Sequence, residues 1–303
     1  MSDPERWRRW CSTIAEAVDR ASANEALGEI SREIAAVLPP DRGLIGEWAE
    51  VGVDVELRPL AASGLCVRGT RRVVVRRRDP LRRRRYTVAH EIGHLLLFHA
   101  TERGGLRLSS RQEEAMCERF AATTLAPRDR LADYLLANPP QPTLDWLQEA
   151  ADEFRISHSA LVIALSAHSW DTEAGYILAG MCGHRLRPDE RALRIAHAAG
   201  PSRLWLAREK RLASLGWGSL ATWAHDQEPG VRRRERDGPI TIRAVAPRGV
   251  ASYTGPVASQ AIIVAGTYRT IVAFDASELH PGVPVFRRRK ASACEGQLAF
   301  AIA

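Results

Sequence analysis

Residues 86–99 read Tyr-Thr-Val-Ala-His-Glu-Ile-Gly-His-Leu-Leu-Leu-Phe-His, and this stretch constrains the chain more than any other. His90 and His94 are four apart, so on a helix they stand on one face, one turn above the other, with rings able to converge on one ion. Val88, Ala89, Ile92, Leu95, Leu96 and Leu97 bury the rest of such a helix. A buried helix has little reason to carry His-Glu-His unless something satisfies that polarity. The spacing His90-Glu91-x-x-His94 therefore predicts a zinc site, with Glu91 beside the position left for water. The bland alternative is a helix with ordinary surface histidines.

Catalytic zinc takes three protein ligands plus water, so a third ligand is required. The position where a third histidine of an extended motif would fall is Ala100, and His99 lies one residue short, off the ligand face. A glutamate from a second helix is the remaining source, and residues 111–127 supply Glu113, Glu114 and Glu118. Glu114 is the preferred ligand. Glu118, one turn on, is then placed to accept a hydrogen bond from a ligand histidine. Glu113 is the competing ligand, and the acids could also simply solvate a helix.

Together, residues 84–99 and 114–127 resemble the ImmA/IrrE family of bacterial zinc metallopeptidases. The likeness rests on Thr87 to His94, then on Glu114, Cys117, Phe120, Ala121, Ala122, Leu125 and Pro127, and it spans about residues 25–168. Glu118 stands where the family often has Asn or Asp. The resemblance implies an α+β, zincin-like (gluzincin-type) metallopeptidase with one zinc ion per chain. It further implies a protein substrate, a helix-turn-helix transcriptional repressor cleaved in a stress, DNA-damage or antiphage response. The rival readings are a DNA-binding regulator or a sensor with a structural or vestigial zinc site.

Around this core the expected organisation is a peptidase domain over residues 1–138, a helix-turn-helix-like pair over 139–169, and an α+β domain over 170–303. Helices fit two segments within 5–38, then 44–51, 80–98, 111–125 and onward to Leu136, with a surface loop over 100–109. Short strands fit 53–57, 65–67 and 73–77. The pair 144–154 and 157–167 has the packing positions of a helix-turn-helix, but its second helix, His158 to Leu165, is poor in groups that read bases. Beyond Trp170, strands are expected at 176–179, 240–245, 261–265 and 270–274, and helices at 189–198 and 202–214. By resemblance this last domain is GAF-like and sensory; its basic segments Arg232–Arg236 and Arg287–Lys290 are candidates for binding a nucleic-acid effector or another polyanion, the plain alternative being two solvated loops.

The five cysteines, Cys11, Cys66, Cys117, Cys182 and Cys294, are scattered with no CxxC pair, which argues for free thiols. Cys66 falls in a segment that the resemblance places near the cleft, where a thiolate could cap the zinc; a small buried hydrophobe is the plainer reading. A net charge of +7 permits a nucleic-acid partner, yet only Lys210 and Lys290 are lysines, so the arginine clusters reflect a codon bias in part. No apolar run is long enough for a membrane span, and no secretory segment follows Met1, so a cytoplasmic location is expected.

Overall fold

The computed structural model describes residues 3–38, 43–103, 105–168, 170–182, 192–200, 213–214, 234–237, 240–245, 252–257, 259–263 and 269–278. The chain divides into two compact units, Met1–Asp133 with Ala151–Ala164, and Tyr134–Ala150 with Leu165–Ala303. Residues 139–169 thus contribute to both.

The first unit opens with helices α1 (Asp3–Ala15) and α2 (Arg20–Val37). Asp19 starts α2 with a capping box, its carboxylate accepting from the Ser22 N–H while Ser22 Oγ accepts from the Asp19 N–H. A short helix α3 (Leu44–Ala49) leads into a three-stranded sheet of β1 (Asp54–Arg58), β2 (Gly64–Val67) and β3 (Arg72–Arg76) in the order β1-β3-β2. β1 runs parallel to β3 and β2 antiparallel to it, leaving β2 at an edge. Against the sheet lies the long helix α4 (Leu81–Arg103), followed by α5 (Ser110–Leu125) and α6 (Arg128–Ala137).

α4 continues past Phe98 through much of the expected loop because Ala100 is fully buried and extends the core face; Gly105, at φ 70°, follows its end. The core of this unit is Trp10, Ile14, Ile30, Ile34, Trp48, Val73, Val75, Ile92 and Leu95–Leu97, all essentially without solvent contact. The start of α4 is anchored by Arg85. Its guanidinium donates to both Glu47 oxygens, at 2.9 and 3.0 Å from Nε, and to the Arg155 carbonyl at 3.1 Å. Arg155 itself has φ 53° at the turn before α8 (His158–Leu165). Ser159 to Leu165 are all buried, so these side chains are not displayed for base reading.

The second unit contains the first part of α7 (Leu144–Glu153) and two antiparallel sheets. One has the order β5-β4-β11-β10-β7, built from β4 (Ala174–Cys182), β5 (Ala192–Ala199), β7 (Arg234–Asp237), β10 (Ser259–Ile263) and β11 (Arg269–Asp275). The other has the order β6-β8-β9, from β6 (Ala213–Ser214), β8 (Ile240–Val245) and β9 (Ser252–Val257). Trp146 stacks on Tyr176 at 5.4 Å, and Gly175 gives room for the Phe274 ring opposite it.

The helix expected over 189–198 is a strand where described: Ala192–Ala199 pairs along β4. A short apolar run is locally ambiguous, and cross-strand pairing decides it. Of the helix expected over 202–214, only 213–214 are described, as strand; Arg232, Arg233, Arg287–Lys290 and Cys294 lie outside the described residues. No helix among the described residues is long and apolar enough to cross a membrane.

Candidate metal centre

α4 and α5 pack extensively on one another, with Gly93 at the contact. A Cβ there would sit 3.2 Å from both Cα and Sγ of Cys117, tighter than ordinary van der Waals contact, so glycine eases this close approach. Ser109 fixes the start of α5 by a capping box with Gln112. The two helices thereby present His90, His94 and Glu114 to one another.

His90 Nε2 lies 3.2 Å from His94 Nε2, and Glu114 straddles the pair with one oxygen 3.3 Å from His90 Nε2 and the other 3.4 Å from His94 Nε2. Separations of this size are close to the edges of a tetrahedron whose centre-to-corner distance is about 2.0–2.1 Å, the zinc–nitrogen and zinc–oxygen bond length. Two imidazole nitrogens and a carboxylate oxygen are also donors that zinc accepts. The residues therefore fit a zinc ion. Among the described residues this is the cluster of metal-ligating type, and all three sequence-selected ligands belong to it. Burial and the neighbouring His94 hold the His90 pKa below its ordinary value, keeping the ring neutral as a ligand must be.

Glu113, the competing ligand in the sequence, occupies a different position. Its carboxylate lies 2.8 Å from His94 Nδ1, on the far side of the ring from the cluster. That contact fixes the His94 tautomer with hydrogen on Nδ1 and the lone pair of Nε2 turned inward. The sequence had given such a role to Glu118. Because α4 and α5 run antiparallel, Glu118 falls opposite the earlier turn of α4. Its charge acts on His90, and its backbone carbonyl accepts from the Tyr86 hydroxyl at 3.2 Å. The Tyr86 ring lies near-parallel to His90 at 6.2 Å. His90 Nδ1 is buried with no hydrogen-bond partner, leaving His94 the more firmly oriented of the two rings.

Glu91 points toward β2. The Cys66 thiol and the Cys66 backbone N–H both donate to its carboxylate. Burial nonetheless pushes the Glu91 pKa above the usual carboxylate value, the direction that improves a proton acceptor near neutral pH. Burial, then the Glu91 charge, push the Cys66 thiol up to about 12, so it stays protonated as the donor in this pair and is not one of the clustered ligands.

Gly64 was not singled out in the sequence. A Cβ at that position would collide with Thr87 Cγ2 and come 3.4 Å from Glu91 Cγ, so glycine is what seats β2 against α4. Its only sequence signal was a glycine within a strand pattern, a mark of close approach. Cys117 is fully buried between the helices, its thiol pKa raised by burial.

Residues 49–166 match the family model described as an IrrE N-terminal-like domain, a peptidase family. Among solved structures, a Mycobacterium tuberculosis transcriptional regulator aligns with a TM-score of 0.49 at 13% identity, over 88% of this chain and 80% of that one. No curated protein matches the chain. The segment that carries His90, His94 and Glu114 thus falls within the residues that match an IrrE N-terminal-like domain.

Proposed function

We propose that the chain is a zinc-dependent endopeptidase that cleaves a regulatory protein, a helix-turn-helix transcriptional repressor, and so derepresses genes in a stress, DNA-damage or antiphage response. The observation that carries this reading is a ligand triad of zinc dimensions with a half-buried carboxylate, Glu91, on the same helix as both histidines. A purely structural zinc site is closed by a fourth protein ligand, and no fourth ligating group joins this cluster among the described residues.

His90, His94 and Glu114 would hold the ion. When bound, zinc supplies Lewis-acid polarisation of a carbonyl and a water of lowered pKa. Glu91 would serve as the base that accepts a proton from the attacking water and as the acid that returns it to the leaving amine. Cys66, through its S–H and N–H, holds the Glu91 carboxylate in place between proton transfers. Glu113 keeps His94 in its ligand tautomer. Among the described residues β2 has no second strand partner, and apart from the Cys66 N–H its outer edge offers main-chain donors and acceptors along which an extended substrate segment can lie.

The C-terminal residues, by the family resemblance, form a sensory GAF-like part that sets when the peptidase acts, with a nucleic acid as a candidate effector. The reading is tested by incubating the purified protein with a helix-turn-helix repressor encoded beside it, with zinc, with chelator, and with single-stranded DNA. Cleavage by the zinc form, lost with chelator and reduced by about 10²- to 10⁴-fold in Glu91→Gln, is expected. A Glu91→Gln protein that still cleaves at the native rate removes the proposed mechanism.

A further inference from the structure

We infer that the β2 edge selects a substrate segment with an apolar centre and acidic residues about three to four positions to either side of the scissile bond. This deepens the peptidase reading above and rests on it.

The direction of β2 along α4 is set by four contacts. Ser63 receives a hydrogen bond from Arg83 at 3.0 Å, Gly64 packs on Thr87 and Glu91, Cys66 donates to Glu91, and the Arg68 guanidinium lies 5.1 Å from the Phe98 ring centre. Strand and helix therefore run side by side in the same direction, with Glu91 between two arginine-bearing ends. Arg83 stands eight residues before Glu91 and Phe98 seven after it. At about 1.5 Å per helical residue the two ends lie some 12 and 10 Å from the catalytic carboxylate. An extended peptide rises about 3.3 Å per residue, so each end meets a side chain about three to four residues from the bond at Glu91.

Both ends are positively charged. At one, Arg76 and Arg83 share the single buried carboxylate of Asp79, at 2.8 and 3.5 Å, and exposed Arg77 and Arg78 adjoin them. At the other, Arg68 is exposed and lies over an aromatic face, that of Phe98. From Leu57 to Arg78 the chain carries arginines at 58, 68, 71, 72 and 76–78 and no aspartate or glutamate. Arginine is common throughout this protein, so the placement of these side chains, and not their number, distinguishes the two ends of the strand.

Between the charged ends the strand displays Leu65, 41% exposed, and Val67, 36% exposed, while Gly64 and Cys66 face the helix. A nucleic acid seeks a continuous row of cations and has no main chain to pair with a strand edge. An acidic peptide with an apolar centre matches both the interruption and the edge. The nearby acids of α5 are already committed, Glu113 to His94 and Glu114 to both histidines.

The test uses full-length Glu91→Gln protein and fluorescent peptide pools about a dozen residues long, with randomised apolar centres and Glu, Gln or Lys at both flanks. Binding of the Glu pool about tenfold tighter than the Gln pool is expected, the Lys pool weaker still, with the preference shrinking as salt rises. Arg68→Glu with Arg83→Glu should invert the order. Arg68→Gln with Arg83→Gln, which keeps hydrogen-bond donors, should level it, and melting curves of both double variants check the fold. Equal binding of the three pools, no binding of any, or a preference that survives charge reversal overturns the inference. So does a single-stranded DNA oligonucleotide that binds through Arg68 and Arg83 while the peptides show no charge order. Parallel cleavage by the native zinc protein separates the two levels: cleavage without charge preference refutes this inference alone, and charge-ordered binding without cleavage refutes the peptidase reading alone.

Discussion

Replacing Glu113 isolates the orientation of one ligand from the ligand set itself. Its carboxylate contacts His94 Nδ1 at 2.8 Å and has no place among the three clustered ligand groups. Partners of this kind fix the ring and raise its basicity, and their loss weakens metal binding by about 10- to 100-fold. Glu113 is 32% exposed in its side chain and His94 19%, so solvent can partly replace the lost acceptor. The lower end of that range is therefore expected for Glu113→Ala, about tenfold in zinc Kd, or about 1.4 kcal/mol. Glu113→Gln keeps an oxygen acceptor without the charge and should lose less. Zinc affinity is read by competition with a chromophoric chelator, and the ligand field by the visible spectrum of the cobalt-substituted protein. A Glu113→Ala protein with native zinc affinity refutes the reasoning. A larger loss in Glu118→Ala than in Glu113→Ala would return the orienting role to Glu118.

Two further outcomes follow from the same geometry. Burial raises the Glu91 pKa while the Cys66 donors lower it, so removing the thiol in Cys66→Ala must raise it further. Glu91 acts in its ionised form, so the acid limb of the pH dependence of kcat/KM should move to higher pH; an unmoved limb contradicts the hydrogen bond. Arg85→Ala leaves Glu47, only 4% exposed, as an uncompensated buried charge at the start of α4. The expected cost is about 3–5 kcal/mol of unfolding free energy, measured by denaturant titration, and a loss under 1 kcal/mol would show the pair to be dispensable.

The metal site was legible because its logic is local. His90, Glu91 and His94 are fixed by helical spacing within one turn, and the apolar residues around them declare that the helix is buried. Glu114 required one tertiary assumption, that α5 packs on α4, and the resemblance carried in part by Phe120, Ala121 and Ala122 supplied it. The orienting carboxylate was not legible in the same way. Glu113 and Glu118 differ by which turn of α4 they oppose, and that depends on the antiparallel offset between the helices, set by the Gly93–Cys117 contact. Cys66 lies beside Glu91 and not in the ligand cluster, and that pairing depends on how Gly64 seats β2.

In the second unit, Ala192–Ala199 read as helix because its apolar residues suit either period. Pairing with β4 made it a strand, and no local signal contains that information. Asp79, Arg83 and Arg68 carry no local signal in the sequence. Their meaning emerges only once the strand and the helix are laid side by side.

The central claim is that His90, His94 and Glu114 grip one zinc ion. Metal analysis of the purified native protein, beside the His90→Ala and Glu114→Ala variants, tests it most directly. One zinc per chain is predicted for the native protein, and little or none for either folded variant. A well-folded native protein that holds no zinc after growth and purification with zinc present, or variants that retain it in full, would contradict the account.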